Sequence, residues 1–405
     1  MHSNRIWIIS EIYYPVKTST GYYMTEIAEY LARKGLNVHV ICTNSIYNKG
    51  ESEVVAKEEI HKGVHIHRVL MGSIDKNSFL KRVLRLSISS FRLFLKILSS
   101  VHEGDKVLVV TNPAFLLLMM PCVAWWKRLR YTVLVHDIFP ENLVAIKKIS
   151  SSSFIYRCLK FFFDKAYSKA DQCISIGRDM SEVLYTKMYA NCNVRLIPIW
   201  AENKNVYPKD KGETDLCKSL LLNDKFIFQF AGNLGHAQGI DNLLAAIDMI
   251  DERNIHFLFI GDGAKAGIIS SYIHARTKSQ NNVSLVGFQD RSQQNDFLNS
   301  CDIGIVTLSD GMYGLGVPSK SYNIMAAGKP ILYVGDEKSE IALCIKEYSL
   351  GWVVKPEDPY ALKNMIEYIY VNRNNLQPIQ NNARTVANSV FAKEQILEEY
   401  YSLFA

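Results

Sequence analysis

The sequence predicts an α/β protein of two doubly wound parallel-sheet domains facing a central cleft, and three observations carry that prediction. Its 405 residues exceed the usual length of one domain and suffice for two, each burying its own core. β-Branched and aliphatic runs of four to seven residues alternate with helical stretches through both halves, the pattern of parallel strands joined by helices. A charged, irregular segment at 201–224, with Pro208 and few apolar residues before Leu216, separates the halves and sets the boundary near 200. Two such sheets put a cleft at the carboxyl ends of their strands.

In the first half, strands are expected at 5–10, 36–43, 64–70, 106–110, 131–135, 172–176 and 194–197. The first helix, over 21–34, sets Tyr23, Ile27, Tyr30 and Leu31 on one apolar face. The run 107–126 is twenty residues without a charge, long enough to cross a bilayer, but Thr111-Asn112-Pro113 and Pro121 interrupt it. It is read as a short buried strand, a turn and an apolar helix. The first apolar run, at 6–9, ends before Glu11 and is too short for a secretory leader. In the second half, strands are expected at 226–231, 256–260, 283–286, 303–306, 330–334 and 351–354.

Composition excludes a disordered or fibrous chain, with 48% hydrophobic and 21% charged residues, 22 Gly and 11 Pro. Eight widely spaced cysteines, Cys192 among them, form no C-x-x-C pair; they read as thiols in a reducing, cytoplasmic compartment, not as a disulfide frame or zinc site. The net charge of +6 is concentrated. Residues 77–135 hold nine basic and two acidic side chains, an excess of +7, so the rest of the chain is near neutral.

Three glycine-bearing junctions open helices after strands: 15–21, which includes Lys17, Thr20 and Gly21; 232–239, with Gly232, Asn233, Gly235 and Gln238; and 314–320, with Gly314, Gly316, Ser319 and Lys320. A helix start presents unpaired N–H groups and positive dipole, and glycine admits a phosphate close to the backbone. Two such junctions in the second half favour a phosphate-bearing ligand there. The run 261–267 has the glycine spacing G-x-G-x-x-x-G and follows its domain's second strand, so it is read as a tight turn and not a dinucleotide fingerprint. His136 and Asp137 directly follow a strand, where an open sheet presents ligand-facing loops, and suit polar recognition or proton handling. No D-x-D pair, Walker A loop, G-x-S-x-G elbow or H-E-x-x-H helix occurs, so metal-free chemistry is expected.

From 78 to 102 the chain has Lys81, Arg85, Arg92 and Lys96 along one helical stripe and no acid before Glu103. With Leu, Val and Phe expected opposite the stripe, and Trp125-Trp126-Lys127-Arg128 after a second apolar helix, this face is assigned to an anionic membrane surface. No other basic and aromatic interleaving points to nucleic acid.

Together these motifs resemble the glycosyltransferases of family 4, which have the GT-B fold of two Rossmann-like domains. The resemblance runs nearly end to end, through Glu11-Ile12-Tyr13-Tyr14-Pro15 with Gly21, the His136-Asp137 loop, Ala231-Gly232-Asn233-Leu234-Gly235, Gly261-Asp262-Gly263, Val286-Gly287-Phe288 and, most specifically, the stretch from Val317-Pro318-Ser319-Lys320 to Ala327-Gly328-Lys329-Pro330. It implies a bacterial surface-polysaccharide enzyme, of O-antigen or capsule type. Such an enzyme moves a sugar from a nucleotide diphosphate sugar to a lipid-linked saccharide, with retained configuration and no metal or other cofactor. It further implies that the first domain, 1–200, binds the acceptor and is completed by a returning helix at about 380–405, and that the second, 201–379, binds the donor. Carried across, Gly287 and Phe288 flank the base, 314–320 holds the diphosphate with charge from Lys320, and His136 and Asp137 orient the sugar, its leaving phosphate or the acceptor hydroxyl.

Two positions depart from the family pattern. Where members carry two glutamates eight residues apart, this chain has Leu315 and Asn323, of which Asn323 can still hydrogen-bond a ribose. Where members carry Arg and Lys in the second domain's first turn, it has Asn233 and Gln238. Two alternatives therefore stay open: a sugar-nucleotide 2-epimerase on the same fold, and a non-catalytic sugar-nucleotide-binding protein. On the glycosyltransferase reading the protein works in the cytoplasm, peripheral on the inner face of the cytoplasmic membrane.

Overall fold

Apolar runs bounded by Gly, Pro or charged turns form the strands of two parallel sheets, and the amphipathic stretches between them form the helices. The computed structural model describes residues 5–16, 18–44, 55–71, 79–188, 193–276 and 282–405. Lys17, Cys192 and the side chain of Arg82 lie outside them. The chain divides into unit 1, Met1–Pro198 with Ile396–Ala405, and unit 2, Ile199–Gln395.

Unit 1 runs β1 (Ile6–Ile9), α1 (Ser19–Arg33), β2 (Val38–Thr43), β3 (Glu58–His61), β4 (Val64–Val69), α2 (Phe79–Ser100), β5 (Lys106–Val110), α3 (Ala114–Lys127), β6 (Arg130–Leu134), α4 (Glu141–Ala145), α5 (Phe154–Ser168), β7 (Gln172–Ser175), α6 (Arg178–Met188) and β8 (Val194–Leu196). The eight-stranded sheet has the order β3-β4-β2-β1-β5-β6-β7-β8. All its pairings are parallel except β3 with β4, a hairpin turning at Lys62-Gly63. The run 107–126 divides as expected into β5, a turn and α3, and among the described residues no helix is long and apolar enough to cross a membrane.

Unit 2 runs α7 (Asp215–Ser219), β9 (Phe226–Ala231), α8 (Ile240–Ile247), β10 (Ile255–Ile260), α9 (Ala266–Ala275), β11 (Val283–Val286), α10 (Gln294–Asn299), β12 (Ile303–Thr307), α11 (Lys320–Ala326), β13 (Ile331–Val334), α12 (Glu340–Tyr348), β14 (Gly351–Val354), α13 (Pro359–Val371) and α14 (Gln377–Asn388). Its six-stranded parallel sheet has the order β11-β10-β9-β12-β13-β14. β9 and β10 are buried along their whole length, as expected of central parallel strands covered on both faces. The last helix, α15 (Lys393–Phe404), ends on unit 1, where Lys106 donates to the Phe404 carbonyl at 2.6 Å. The return starts at Ile396, later than the expected 380, because α14 packs on α11 and Arg384 donates to the Ala326 carbonyl at 2.7 Å.

The basic stripe of α2 is open only in part, which corrects the sequence reading: Lys81 and Arg92 are exposed, while Arg85 and Lys96 are drawn toward the sheet. Arg85 is buried and donates to the buried Glu11 carboxylate at 2.6 Å. Arg92 donates to the Leu70 carbonyl, and Lys96 meets Glu58 at 3.2 Å. The stripe is the seam between α2 and the β1–β4 side of its unit; the apolar residues Leu84, Phe91 and Leu95 lie beside it, facing solvent. Helical spacing groups residues on a face, but the partners decide which flank turns inward.

Removing Arg85 leaves a buried carboxylate without its cation. Arg85→Ala is expected to destabilise unit 1 by about 3 kcal/mol or more, against less than about 0.5 kcal/mol for the exposed Lys165→Ala. Urea unfolding followed by circular dichroism measures both.

Candidate functional site

In a doubly wound sheet the ligand crevice opens at the carboxyl edge where the strand order reverses. In unit 2 that point lies beside β9, which has β10 on one side and β12 on the other. The loops leaving β9 and β12 meet there through Ser309. Its hydroxyl accepts from the Gly239 N–H at 3.1 Å and donates to the His236 carbonyl at 3.2 Å, while its N–H donates to Ala237 at 2.8 Å.

The loop after β9 is braced from behind by the turn after β10. Gly232 and Gly261 have φ of +141° and +133°, and a Cβ on Gly261 would stand 2.0 Å from the Gly232 carbonyl oxygen. The Leu234 N–H donates to Asp262 at 3.0 Å, and the Lys265 N–H donates to Leu234 at 2.8 Å. The glycines of 261–263 thus serve a backbone contact, as a tight turn should.

Lys320, first residue of α11, reaches into this loop. Its Nζ stands 3.4 Å from the centroid of the Phe230 ring and donates to Gln238 Oε1 at 3.4 Å. A Cβ on Gly232 would lie 3.3 Å from the same ammonium, a tight contact added to the φ of +141° that already favours glycine there. Burial pushes Lys320 down to about 7, because lost hydration penalises the charged form. The lysine therefore sits, cation over ring, in a place that has shed water and lacks a carboxylate partner in the hydrogen bonds it makes.

The other expected donor residues are distributed as follows. Asn233 is exposed and folds over Gly235, where a Cβ would stand 2.9 Å from its amide nitrogen. Gly314, Gly316 and Ser319 lie in the loop from β12 to α11, with Ser319 at the helix's N-cap position. Gly287 and Phe288 follow the edge strand β11; the ring of Phe288 is 63% exposed. Asn323 is buried, and its Oδ1 accepts the Glu202 N–H at 3.0 Å, which ties it to the segment entering unit 2.

In unit 1 the order reverses beside β1, with β2 on one side and β5 on the other. The Glu11 N–H donates to the Asn112 carbonyl at 2.9 Å and joins the two loops. Thr111 then draws in the loop after β6, its Oγ1 accepting from the N–H groups of His136 at 3.1 Å and Asp137 at 3.3 Å. Asn142 donates to Asp137 Oδ1 at 3.2 Å. The buried Lys187 donates to both oxygens of Glu141, at 2.7 and 2.8 Å, and meets Asp164 at 2.5 Å, which fixes the start of α4. Burial pushes His136 down to about 4 and Asp137 up to about 6. At neutral pH the imidazole is uncharged and the carboxylate mostly ionised, a pair able to accept and pass hydrogen bonds without a fixed positive charge.

The start of α1 gives Gly21 a structural task. Thr18 caps it, its Oγ1 accepting from the Gly21 N–H at 3.4 Å, and a Cβ on Gly21 would stand 2.5 Å from the Val16 carbonyl oxygen. Gly21 is needed for that close approach, and its N–H already has a partner; Thr20 is half-buried in the first turn. Thr111 and Lys187 were not singled out from the sequence. Thr111 has a signal, since it ends a central strand at the reversal, but it reads equally well as a turn breaker before Pro113.

Comparison with known proteins gives the family. A model of the glycosyl transferases group 1 matches residues 213–386. WbjE of Pseudomonas aeruginosa, named as a probable glycosyltransferase, is 35% identical over 367 residues, 90% of this chain and 89% of its own. WcaI of Escherichia coli (strain K12), provisionally named a colanic acid biosynthesis glycosyl transferase, is 23% identical over 399 residues, 96% of each. Among solved structures, Anabaena HepE in complex with UDP shares the fold at a TM-score of 0.74 and 14% identity, over 98% of this chain and 99% of that one. The chain belongs to the glycosyl transferases group 1 family, and its two parallel-sheet α/β units have the GT-B class of fold.

With burial raising its pKa, the Asp137 carboxyl is expected to titrate near pH 6 and the His136 ring to stay neutral down to about pH 4. Carbon-detected NMR of the two side chains, assigned with Asp137→Asn and His136→Gln, checks both. Midpoints near the ordinary values of about 4 and about 6.5 would contradict the burial argument.

Proposed function

We propose that this glycosyltransferase acts in bacterial surface polysaccharide synthesis, moving a sugar from a nucleotide diphosphate sugar to a lipid-linked saccharide with retention of configuration and without a metal. The observation that carries the donor assignment is Lys320, desolvated beside the glycine loop of β9 at the strand reversal of unit 2. A cation in that state gains most from a diphosphate, which supplies the charge its surroundings withhold. It also answers for Asn233 and Gln238, which stand where the family pattern implies cations. HepE, crystallised with UDP and with UDP-glucose, supports a nucleotide sugar as donor, and the names of WcaI and WbjE support polysaccharide synthesis.

In the proposed reaction unit 2 binds the donor and unit 1 the acceptor. The acceptor hydroxyl oxygen bonds to the anomeric carbon as the bond from that carbon to the phosphate oxygen breaks. The nucleoside diphosphate leaves with the electron pair, and the hydroxyl proton passes to the departing phosphate on the same face of the sugar. Lys320 and the N–H groups of the β9 loop stabilise the developing charge, the role a metal would otherwise fill. Among the described residues no group of three or more His, Cys, Asp and Glu side chains converges as a metal site. Neutral His136 orients the sugar and its leaving phosphate, and Asp137 positions the acceptor hydroxyl. A lipid-linked acceptor brings the enzyme to the inner face of the cytoplasmic membrane.

If a diphosphate recharges Lys320, binding takes up a proton above pH 7 and weakens as pH rises, by up to about tenfold per unit. Calorimetry with UDP in buffers of different ionisation enthalpy at pH 8 is expected to show uptake approaching one proton, lost in Lys320→Met. Binding that is independent of pH would reject the assignment.

His136→Ala is expected to lower the rate of sugar transfer by about a hundredfold or more while leaving donor affinity within a few-fold. Nucleotide binding without transfer to any lipid-linked acceptor would instead favour a non-catalytic protein.

A further inference from the structure

The helices α2, α3 and α5 lie on one face of the unit 1 sheet, as right-handed crossovers require, and α3 packs against both of the others. Their outer side is apolar. From α2 it presents Leu84, Phe91 and Leu95; from α3, Trp125 and Trp126, at 86% and 70% exposure; from α5, Phe154, Ile155, Phe161 and Phe162. On α5 these residues form a second apolar stripe, since Phe163, Ala166 and Tyr167 already serve the core. Nothing in unit 1's own packing requires large aromatic residues on that side.

We infer that this α2–α3–α5 face docks on an anionic lipid surface, sinking its aromatic side chains among the acyl chains without spanning the bilayer. The inference deepens the proposed reading, in which the acceptor is lipid-linked, by naming the surface that meets the lipid. The charges select the occupant. The exposed charged side chains within these helices, Lys81, Arg92, Arg157 and Lys165, are all basic, as is Arg128 at the end of α3; the exposed acids Glu103 and Asp171 lie in the turns beyond the ends of α2 and α5, and Asp171 is paired with Arg130. The one acid within the three helices, Asp164, is buried against Lys160 at 2.6 Å and Lys187 at 2.5 Å. A protein partner or a second copy of this chain would leave those cations facing each other or an unspecified acidic surface; anionic headgroups ring an apolar insertion as a matter of course. Trp125 and Trp126 at the end of α3 and Phe154 at the start of α5 suit the same interface. The electrostatic stripe expected from the sequence is thereby replaced by apolar insertion with a basic rim.

The test uses the full chain with vesicles of phosphatidylcholine containing phosphatidylglycerol, some with brominated acyl chains. Wild type is expected to float with the vesicles, to remain partly bound at high salt, and to have its tryptophan emission quenched by the brominated lipid. Combined Phe91→Ser, Phe154→Ser and Phe161→Ser is expected to weaken binding by about tenfold or more. Trp125→Gln with Trp126→Gln is an independent variant expected to lose most of the quenching. Thermal unfolding and UDP affinity in vesicle-free solution should be unchanged in both. Failure of wild type to float, binding indifferent to both variants, or a wild-type dimer that the variants dissolve would overturn the inference. UDP affinity is read without lipid, so failure of the donor assignment shows separately from failure of this one.

Discussion

A parallel sheet exposes its functional loops only at the carboxyl ends of its strands, and two neighbouring loops diverge only where the strand order reverses. That constraint acts once in each unit, beside β9 and beside β1. At the first, it brings together the glycine loop, the Ser309 clasp and Lys320; at the second, Glu11, Thr111 and the loop bearing His136 and Asp137. None of these residues is close to its partners in sequence. The glycines at 232 and 261 matter because two turns must pack backbone to backbone to keep the β9 loop open toward solvent.

Within that frame, desolvation does most of the electrostatic work. Lys320, His136 and Asp137 are all pushed toward their neutral forms by burial. Such groups are poised: an arriving diphosphate or sugar hydroxyl supplies interactions that water no longer does, without breaking an existing ion pair first. The contrast is with Arg85 and Lys187, whose charges are already matched by Glu11 and by Glu141 with Asp164. Those pairs hold the loops in place and do not turn toward a ligand.

Much of this was legible in the sequence, and the exceptions have physical reasons. The buried strands were plain because parallel strands covered on both faces are uninterrupted apolar runs, as at 107–110, 303–306 and 331–334. β3 was not, because Glu58, Glu59 and His61 leave only Ile60 to mark an edge strand. Lys320 could be placed in a phosphate junction from its motif, but its contact with Phe230 depends on which strand lies beside α11. The stripe of α2 was grouped correctly but read as wholly open, since Arg85 finds a carboxylate on β1's outgoing loop that no local pattern announces. The bond from the Glu202 N–H to Asn323 was likewise not legible, because Glu202 lies in the segment that separates the halves.

The central claim is that the reversal beside β9, with Lys320 as its cation, receives the diphosphate of the donor. Amide hydrogen exchange of the full chain with and without UDP addresses it directly. The account predicts slower exchange confined to 232–239 and 314–320, with a smaller effect in the supporting turn at 261–263. Protection that falls instead at the unit 1 loops, or no protection at saturating UDP, would contradict it.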